Sequence, residues 1–522
     1  MRWSSLWTAC ALVFAYGFAN ASSSYDIRDY GAKGDGVAKD TAALQAAIDA
    51  AAKGGGTVVV PAGRYLCGTI HLKSHVTLHL DAGASIMASP DNADFDPYEP
   101  LPFEPVDDVE TTYFHRALLA GEDVGDIAIL GQGSVDGNRT ARGGPKTIAL
   151  KNCRHIAIRG ITVENSPNYS ISFLGCDDIE VEGVTVLNSY ADGIDPDCSR
   201  YVRIANCLID SADDAICLKA SQALGRRAPT EHVAVTNCVL STNANHFKLG
   251  TESAGDFRYV TFSNCTMFNR SSGPAATSGL SIESVDGSNI EALVASDFAI
   301  RGAQAPIFIR LGNRGRGAEE PTPGSLRDVS ITNVVATDAV ITSSVTGVAG
   351  FPVKNISLSN IDIQMKGGQA FKGLDVPEAE KRYPEADMFG GLPAYGLYAR
   401  HVEGFTLDNV EMRWEETDAR PALIFDDVKG LSIRALQVAG ASVAQPVIWL
   451  HQVAGALIEG CRAPAGTHGF LKVSGAQSSD IAMLGNDLMR AVEPLERAPE
   501  VAQSSVILTG NATALGKASG RE

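Results

Sequence analysis

"IAIRGITV" (Ile156–Val163), "IEVEGVTV" (Ile179–Val186) and "VRIANCLI" (Val202–Ile209) are three versions of one pattern. Apolar and polar residues alternate, a Gly or Asn interrupts, and the alternation resumes. Period-two alternation is the signature of a strand with one buried face. A Gly or Asn at a fixed phase supplies a residue that accepts left-handed backbone at a turn. The same phase recurs at Gly131, Gly160, Gly183, Asn206, Asn237, Asn264, Asn333, Asn360, Asn409, Ala435, Gly460, Gly485 and Gly510, with Asp297 in the gap before Asn333. The last four markers lie 25 residues apart.

No long helix separates these strand pairs, which excludes a fold of alternating strands and crossover helices. Short repeats that each bury one face against their neighbours make a solenoid. The expected fold is all-β, a right-handed parallel β-helix. Strands one coil apart would pair at roughly 4.8 Å. Thirteen or more coils account for residues 22–522, read as one catalytic domain with a polar tail over 510–522. The open edge of the first coil needs a cover. "DTAALQAAIDAAAKGGG" (Asp40–Gly56) predicts a capping helix, with Asp40 as N-cap and Gly54 to Gly56 as its stop.

Of the 522 residues, 45% are hydrophobic, enough for a long core, and the formal charge is −18. Such a surface gains nothing from phosphate backbones or anionic lipid, so nucleic acid and membrane are not expected partners. Arg2, the apolar run "LWTACALVFAYGFA" and Ala19-Asn20-Ala21 read as a signal peptide cleaved after Ala21, hence a secreted or periplasmic protein. Nine cysteines remain after Cys10 leaves with it. Cys207, Cys238 and Cys265 each follow an Asn at the marker, as expected of buried thiols packed as small hydrophobes. No paired C-x-x-C exists, and no metal or cofactor is expected. A monomer is expected.

Two stretches break the rhythm. Asp91–His115 is rich in Pro, acids and aromatics, and the Asn360–Asn409 step holds "VPEAEKRYPEADMFGGLPAYGLYARH" (Val376–His401). Long insertions in a solenoid tend to gather on one face and serve binding.

Coil stacking turns sequence phase into position. "YADGIDPD", "SADDAICLK", "NANHFKLGTE", "TSGLSIES" and "QAPIFIRLG" open successive coils on one face. They bring Asp192, the adjacent pair Asp213 and Asp214, His246, Ser281 with Glu283, and Arg310 into one column. Asp195 and Asp197 read as turn residues. Carboxyl groups about 6.5–9.5 Å apart leave room for a water and a glycosidic bond in inverting glycosidases. One acid must hold a proton for the leaving oxygen while another accepts one from water. Crowded carboxylates raise at least one pKa through mutual repulsion. That gives the adjacent aspartates of "SADDAICLKA" a purpose.

At these residues the chain resembles glycoside hydrolase family 28, the polygalacturonase family. That family carries Asn-Thr-Asp-Gly, Gly-Asp-Asp with a closing Lys, Gly-His-Gly and Arg-Ile-Lys segments. "YADGID" and "ADDAICLK" stand for the first two, and the N-terminal "DIRDYGAKGDGVAKDTAALQAAIDAA" resembles the start of pectin-active β-helices. The resemblance implies that Asp213 is the general acid and that Asp192 and Asp214 position and deprotonate water. It implies that His246 supports the acid, and it matches Lys219 to the closing Lys. Two segments depart from the family: "NHFKLG" replaces Gly-His-Gly, and Ser281-Ile282-Glu283 replaces Arg-Ile-Lys. Glu283 there would repel a sugar carboxylate. Lys248, or Arg310 with Arg314 and Arg316, can substitute for the missing cations; otherwise the sugar in this subsite is not a uronate.

The expected function is hydrolysis of a cell-wall polysaccharide, a pectic one being the expected target, with chain-end action as a narrower guess. Two other classes use the same fold. A lyase would hold Ca²⁺ on Asp192, Asp213 and Asp214, and a non-catalytic β-helix would bind glycan without turnover.

Overall fold

The structure, a computed structural model, describes residues 23–438 and 445–514. The signal peptide expected over 1–21 lies outside the described residues, as does the tail beyond residue 514. Among the described residues 39 strands join in one sheet that winds into stacked coils. A representative coil has three strands, Asp177–Glu182, Thr185–Ser189 and Ile194–Asp197. Each pairs in parallel with its counterpart in the next coil, Arg200–Ala205, Leu208–Ser211 and Ile216–Ala220. The architecture is a parallel β-helix.

The register follows the alternation seen in the sequence. Ile156, Ile179, Val202, Val233 and Val260 stack as direct partners. The column continues through Leu293, Val329, Ile356, Phe405, Leu431, Ala456, Ile481 and Val506. All are buried in one continuous core. A one-residue slip would turn the whole column to solvent, so the pattern fixes the stacking. Every marker residue has positive φ: Asn206 at 58°, Asn237 at 56°, Asp297 at 63°, Ala435 at 51° and Gly485 at 59° are examples. Each turns the chain from the first strand of its coil into the second.

Helix α1 (Thr41–Ala51) buries Leu44, Ala47, Ile48 and Ala51 against the first coils. Asp40 occupies the N-cap position without capping. Its carboxylate instead accepts hydrogen bonds from the Lys33 and Gly34 backbone N–H groups at 2.7 and 3.1 Å. The preceding loop offers those donors first. All nine described cysteines are buried thiols. Among the described residues no helix is long and apolar enough to cross a membrane.

Both insertions fold onto the face formed by the third strands. In Asp91–His115, Glu99 accepts from the Phe114 and His115 N–H groups, and Thr111 bonds the Tyr169 hydroxyl at 3.2 Å. In the second insertion, Val376, Met388 and Phe389 form a small core with Ala305, Phe308 and Tyr398.

Candidate active site

The aspartates sit in the corner turns between the second and third strands of adjacent coils. Gly193 N–H donates to Asp214 O at 2.9 Å and Ile194 N–H to Ala215 O at 3.1 Å, so one turn lies directly on the next. A Cβ at position 193 would lie 2.4 Å from Ala215 O, and only glycine allows this approach. Because Ile194 pairs with Ile216, Asp192 stacks on Asp214, with Asp213 one residue out along the turn. Oxygens of Asp192 and Asp214 come within 4.8 Å of each other.

Two buried lysines cross-brace these carboxylates. Lys219 Nζ lies 2.6 Å from Asp192 and 2.9 Å from Asp195, and 3.7 Å above the Tyr169 ring. Lys248 Nζ lies 3.2 Å from Asp214 and 3.4 Å from Glu385, which comes from the second insertion. Asp214 also accepts from the backbone and side-chain amides of Asn245, at 3.0 and 2.8 Å. Asp195 therefore does more than shape a turn.

Burial, with Asp195 beside it, pushes Asp192 well above the usual carboxylate range against the pull of Lys219. Burial also raises Asp195, with Lys219 opposing. Burial works against the Lys219 charge too, but the two aspartates outweigh it and hold the ammonium protonated. Lys219 thus stays charged beside two carboxylates whose proton affinity burial raises, Asp192 the more strongly. Asp213 differs: burial would raise it, but Arg142 at 2.5 Å, with Lys248 and Lys219 further off, holds it below its ordinary value. A cluster that sets carboxylates of raised and lowered proton affinity side by side is equipped for general acid–base chemistry.

Other residues proposed from the sequence are placed differently. The Ile216–Phe247 pairing sets Asn245, not His246, opposite Asp214. The His246 ring is fixed between the carbonyls of Ser278 and Phe268 at 3.1 and 3.0 Å, and burial lowers its pKa. Neither ring nitrogen bonds a carboxylate. Arg310 is wholly buried and donates to the Gly347 and Glu378 carbonyls at 3.0 and 2.7 Å, which anchors the second insertion. Arg314 is held by Asp286 and the Thr251 carbonyl, and Arg316 by Glu252 and Asp107. None of these three arginines is free to meet a sugar carboxylate. Glu283 is buried against the Ser281 hydroxyl at 2.5 Å, and burial pushes its pKa to about 8 despite nearby Lys248. At neutral pH it is mostly a protonated carboxyl, so its repulsion of an anion is weaker than the sequence implies.

Sequence phase missed the groups that the insertions and one short loop deliver. These are Arg142 on Asp213, Glu110 on Arg142, and Glu385 with Tyr383 beside Lys248. Asp192, Asp214 and Cys217 bring potential ligand atoms together. A hard cation seeks six or more oxygens; here the carboxylates carry lysine ammonium groups, and burial keeps the thiol protonated. The donor set does not suit Ca²⁺.

Residues 55–381, more than half of the sequence, match Glycosyl hydrolases family 28. The chain belongs to that family. It is therefore a glycoside hydrolase. It is 26% identical over 386 residues to a "Probable polygalacturonase" of Vitis vinifera, covering 68% of this chain and 76% of the relative. It is 24% identical over 398 residues to an exo-poly-alpha-D-galacturonosidase of Dickeya chrysanthemi, covering 63% of this chain and 65% of the relative. The fold matches the family 28 exopolygalacturonase of Yersinia enterocolitica with a TM-score of 0.57 at 18% identity, over 84% of this chain and 79% of that one. The matched span includes Asp192, Asp213, Asp214 and Ser281-Ile282-Glu283.

Proposed function

We propose that the protein is a secreted enzyme that hydrolyses the polygalacturonate of pectin with inversion at the anomeric carbon, working from a chain end. The observation that carries this reading is the stack of Asp192 on Asp214 with Asp213 beside them, braced by Lys219 and Lys248. Asp213, the most exposed of the three, protonates the leaving oxygen. Asp192 and Asp214 hold and deprotonate the water that attacks the opposite face of the sugar. The lysine braces keep the carboxylates close without leaving buried charge unpaired. The polygalacturonase relatives support the pectic substrate. Chain-end action is supported by the first insertion, which packs Thr111 on Tyr169 and Phe114 on Lys146 just N-terminal to the aspartates in the stack. The leader-like N-terminus supports secretion.

The test is digestion of polygalacturonate by purified protein, with chromatography for product length and NMR for the first anomer released. Monomer or dimer from the outset, of inverted configuration, is expected. Unsaturated products absorbing in the ultraviolet, or no cleavage of any pectic glycan, would refute it.

A further inference from the structure

Arg142 joins the first insertion to the aspartate pair. Its Nε and Nη2 grip Glu110, with Nε 3.1 Å from both carboxylate oxygens, while Nη1 points away to Asp213 at 2.5 Å. A guanidinium is a planar fork whose edges can hold two carboxylates independently. Arg142 is also the exposed cation at this cluster: 45% of its side chain is accessible, against 3–4% for Lys219 and Lys248. Arg310, Arg314 and Arg316 are bound elsewhere, as described above.

We propose that Arg142 recognises the substrate carboxylate at the cleavage site, and that this carboxylate takes the place of Asp213 on Nη1. The proposal rests on the pectic reading above. Glu110 keeps the fork in place while one carboxylate exchanges for another at its free edge, so recognition needs no new cation. The exchange also resolves a conflict in the ligand-free protein: an acid catalyst must carry a proton, and Asp213 on Arg142 does not favour one. Once Arg142 turns to the substrate, Asp213 faces Lys248, Lys219, Asp192 and Asp214, with Glu110 still on the far side of Arg142. Losing its nearest cation raises its affinity for a proton. Binding of a uronate thereby readies the acid, whereas a neutral sugar leaves Arg142 on Asp213.

The test compares wild type, Arg142→Ala and Arg142→Lys on oligogalacturonides and on their methyl esters. Removing a charge-assisted contact costs about 10- to 100-fold in binding. Arg142→Ala is expected to raise KM on the free acid by that factor and to lose as much of the preference for free acid over ester. Arg142→Lys should recover part of both. The alkaline limb of the kcat/KM profile should move to higher pH in Arg142→Ala, because Asp213 then keeps its proton longer in the free enzyme. An unchanged KM and preference, equal losses on acid and ester, or an unmoved alkaline limb would overturn the role of Arg142. Wild-type protein that cleaves neither substrate would instead overturn the pectic reading.

Discussion

The two insertions approach the adjacent aspartates from the N-terminal and C-terminal sides of the stack, and each ends in a glutamate resting on a cation. From the first, Glu110 holds Arg142, which holds Asp213. From the second, Glu385 holds Lys248, which holds Asp214. The chemistry is alike and the burial is not. Arg142 and Asp213 are 45% and 32% accessible, Lys248 and Asp214 only 4% and 6%. A buried ion pair cannot trade partners without stranding a charge, whereas an exposed one can. The inner relay therefore fixes the site, and the outer relay is where substrate can act on it.

Breaking the inner relay should have the largest effect. Lys248→Met leaves Asp214, Glu385 and Glu283 crowded without their cation. Loss of one partner of a buried pair costs about 3–5 kcal/mol. Denaturant titration should show a loss of that order together with loss of hydrolysis. A variant that kept wild-type stability would mean that the inner pair is not what holds this turn together.

Asp213→Asn should separate chemistry from structure. Removing a general acid costs about 10²- to 10⁴-fold in rate, while the melting temperature should change little, because Arg142 keeps Glu110 and the side chain is partly in solvent. Asp214→Asn should lose both activity and stability, since that side chain meets Asn245 and Lys248 in the interior. Equal behaviour of the two variants would erase the distinction between the relays.

This distinction is only half legible in the sequence. Alternation and marker residues identify the stacked columns down to Val506, because one misplaced residue would turn a whole column outward. The aspartate pair and Asp192 are legible for the same reason. Phase alone assigns His246 to the aspartate column, but the pairing of Ile216 with Phe247 puts Asn245 there. Arg310 has the right phase and the wrong environment, since an insertion absent from the repeat covers it. Arg142 lies 71 residues before Asp213 in a loop without periodicity, and nothing in its local sequence marks it. Repetition encodes the scaffold, and the residues that set its electrostatics come from where repetition stops.

Glu283→Gln tests the interior side of the comparison through pH. The ordinary glutamate value is 4.5 and burial raises Glu283 to about 8. Between those values the unfolded chain releases a proton that the folded protein keeps, so Glu283 makes stability fall as pH rises through that window. Below about pH 4.5 and above about pH 8 its contribution is flat. Each pH step of one within the window is worth about 1.4 kcal/mol, so the effect across it is a few kcal/mol. Unfolding free energies at about pH 5 and about pH 8 should therefore differ less in the glutamine variant than in wild type. Parallel pH dependence in the two proteins would show that Glu283 ionises freely, and that the inner relay is wetter than its burial implies.

Glu110→Gln should have the smallest effect and bears most directly on the outer relay. Glu110 and Arg142 meet near the surface, where ion pairs contribute about 0–1 kcal/mol. Gln retains an oxygen that can accept from Nε, so the fork should keep its place on the insertion. Arg142 would still reach Asp213, and a substrate carboxylate could still displace it. A rise in KM on oligogalacturonides of no more than about fivefold is expected, with unfolding unchanged. If KM rose as far as in Arg142→Ala, the guanidinium would be useful only when Glu110 is charged. The outer relay would then be as fixed as the inner one, held by its partner on the insertion instead of by burial. Exposure alone would no longer explain why one of two similar relays can exchange and the other cannot.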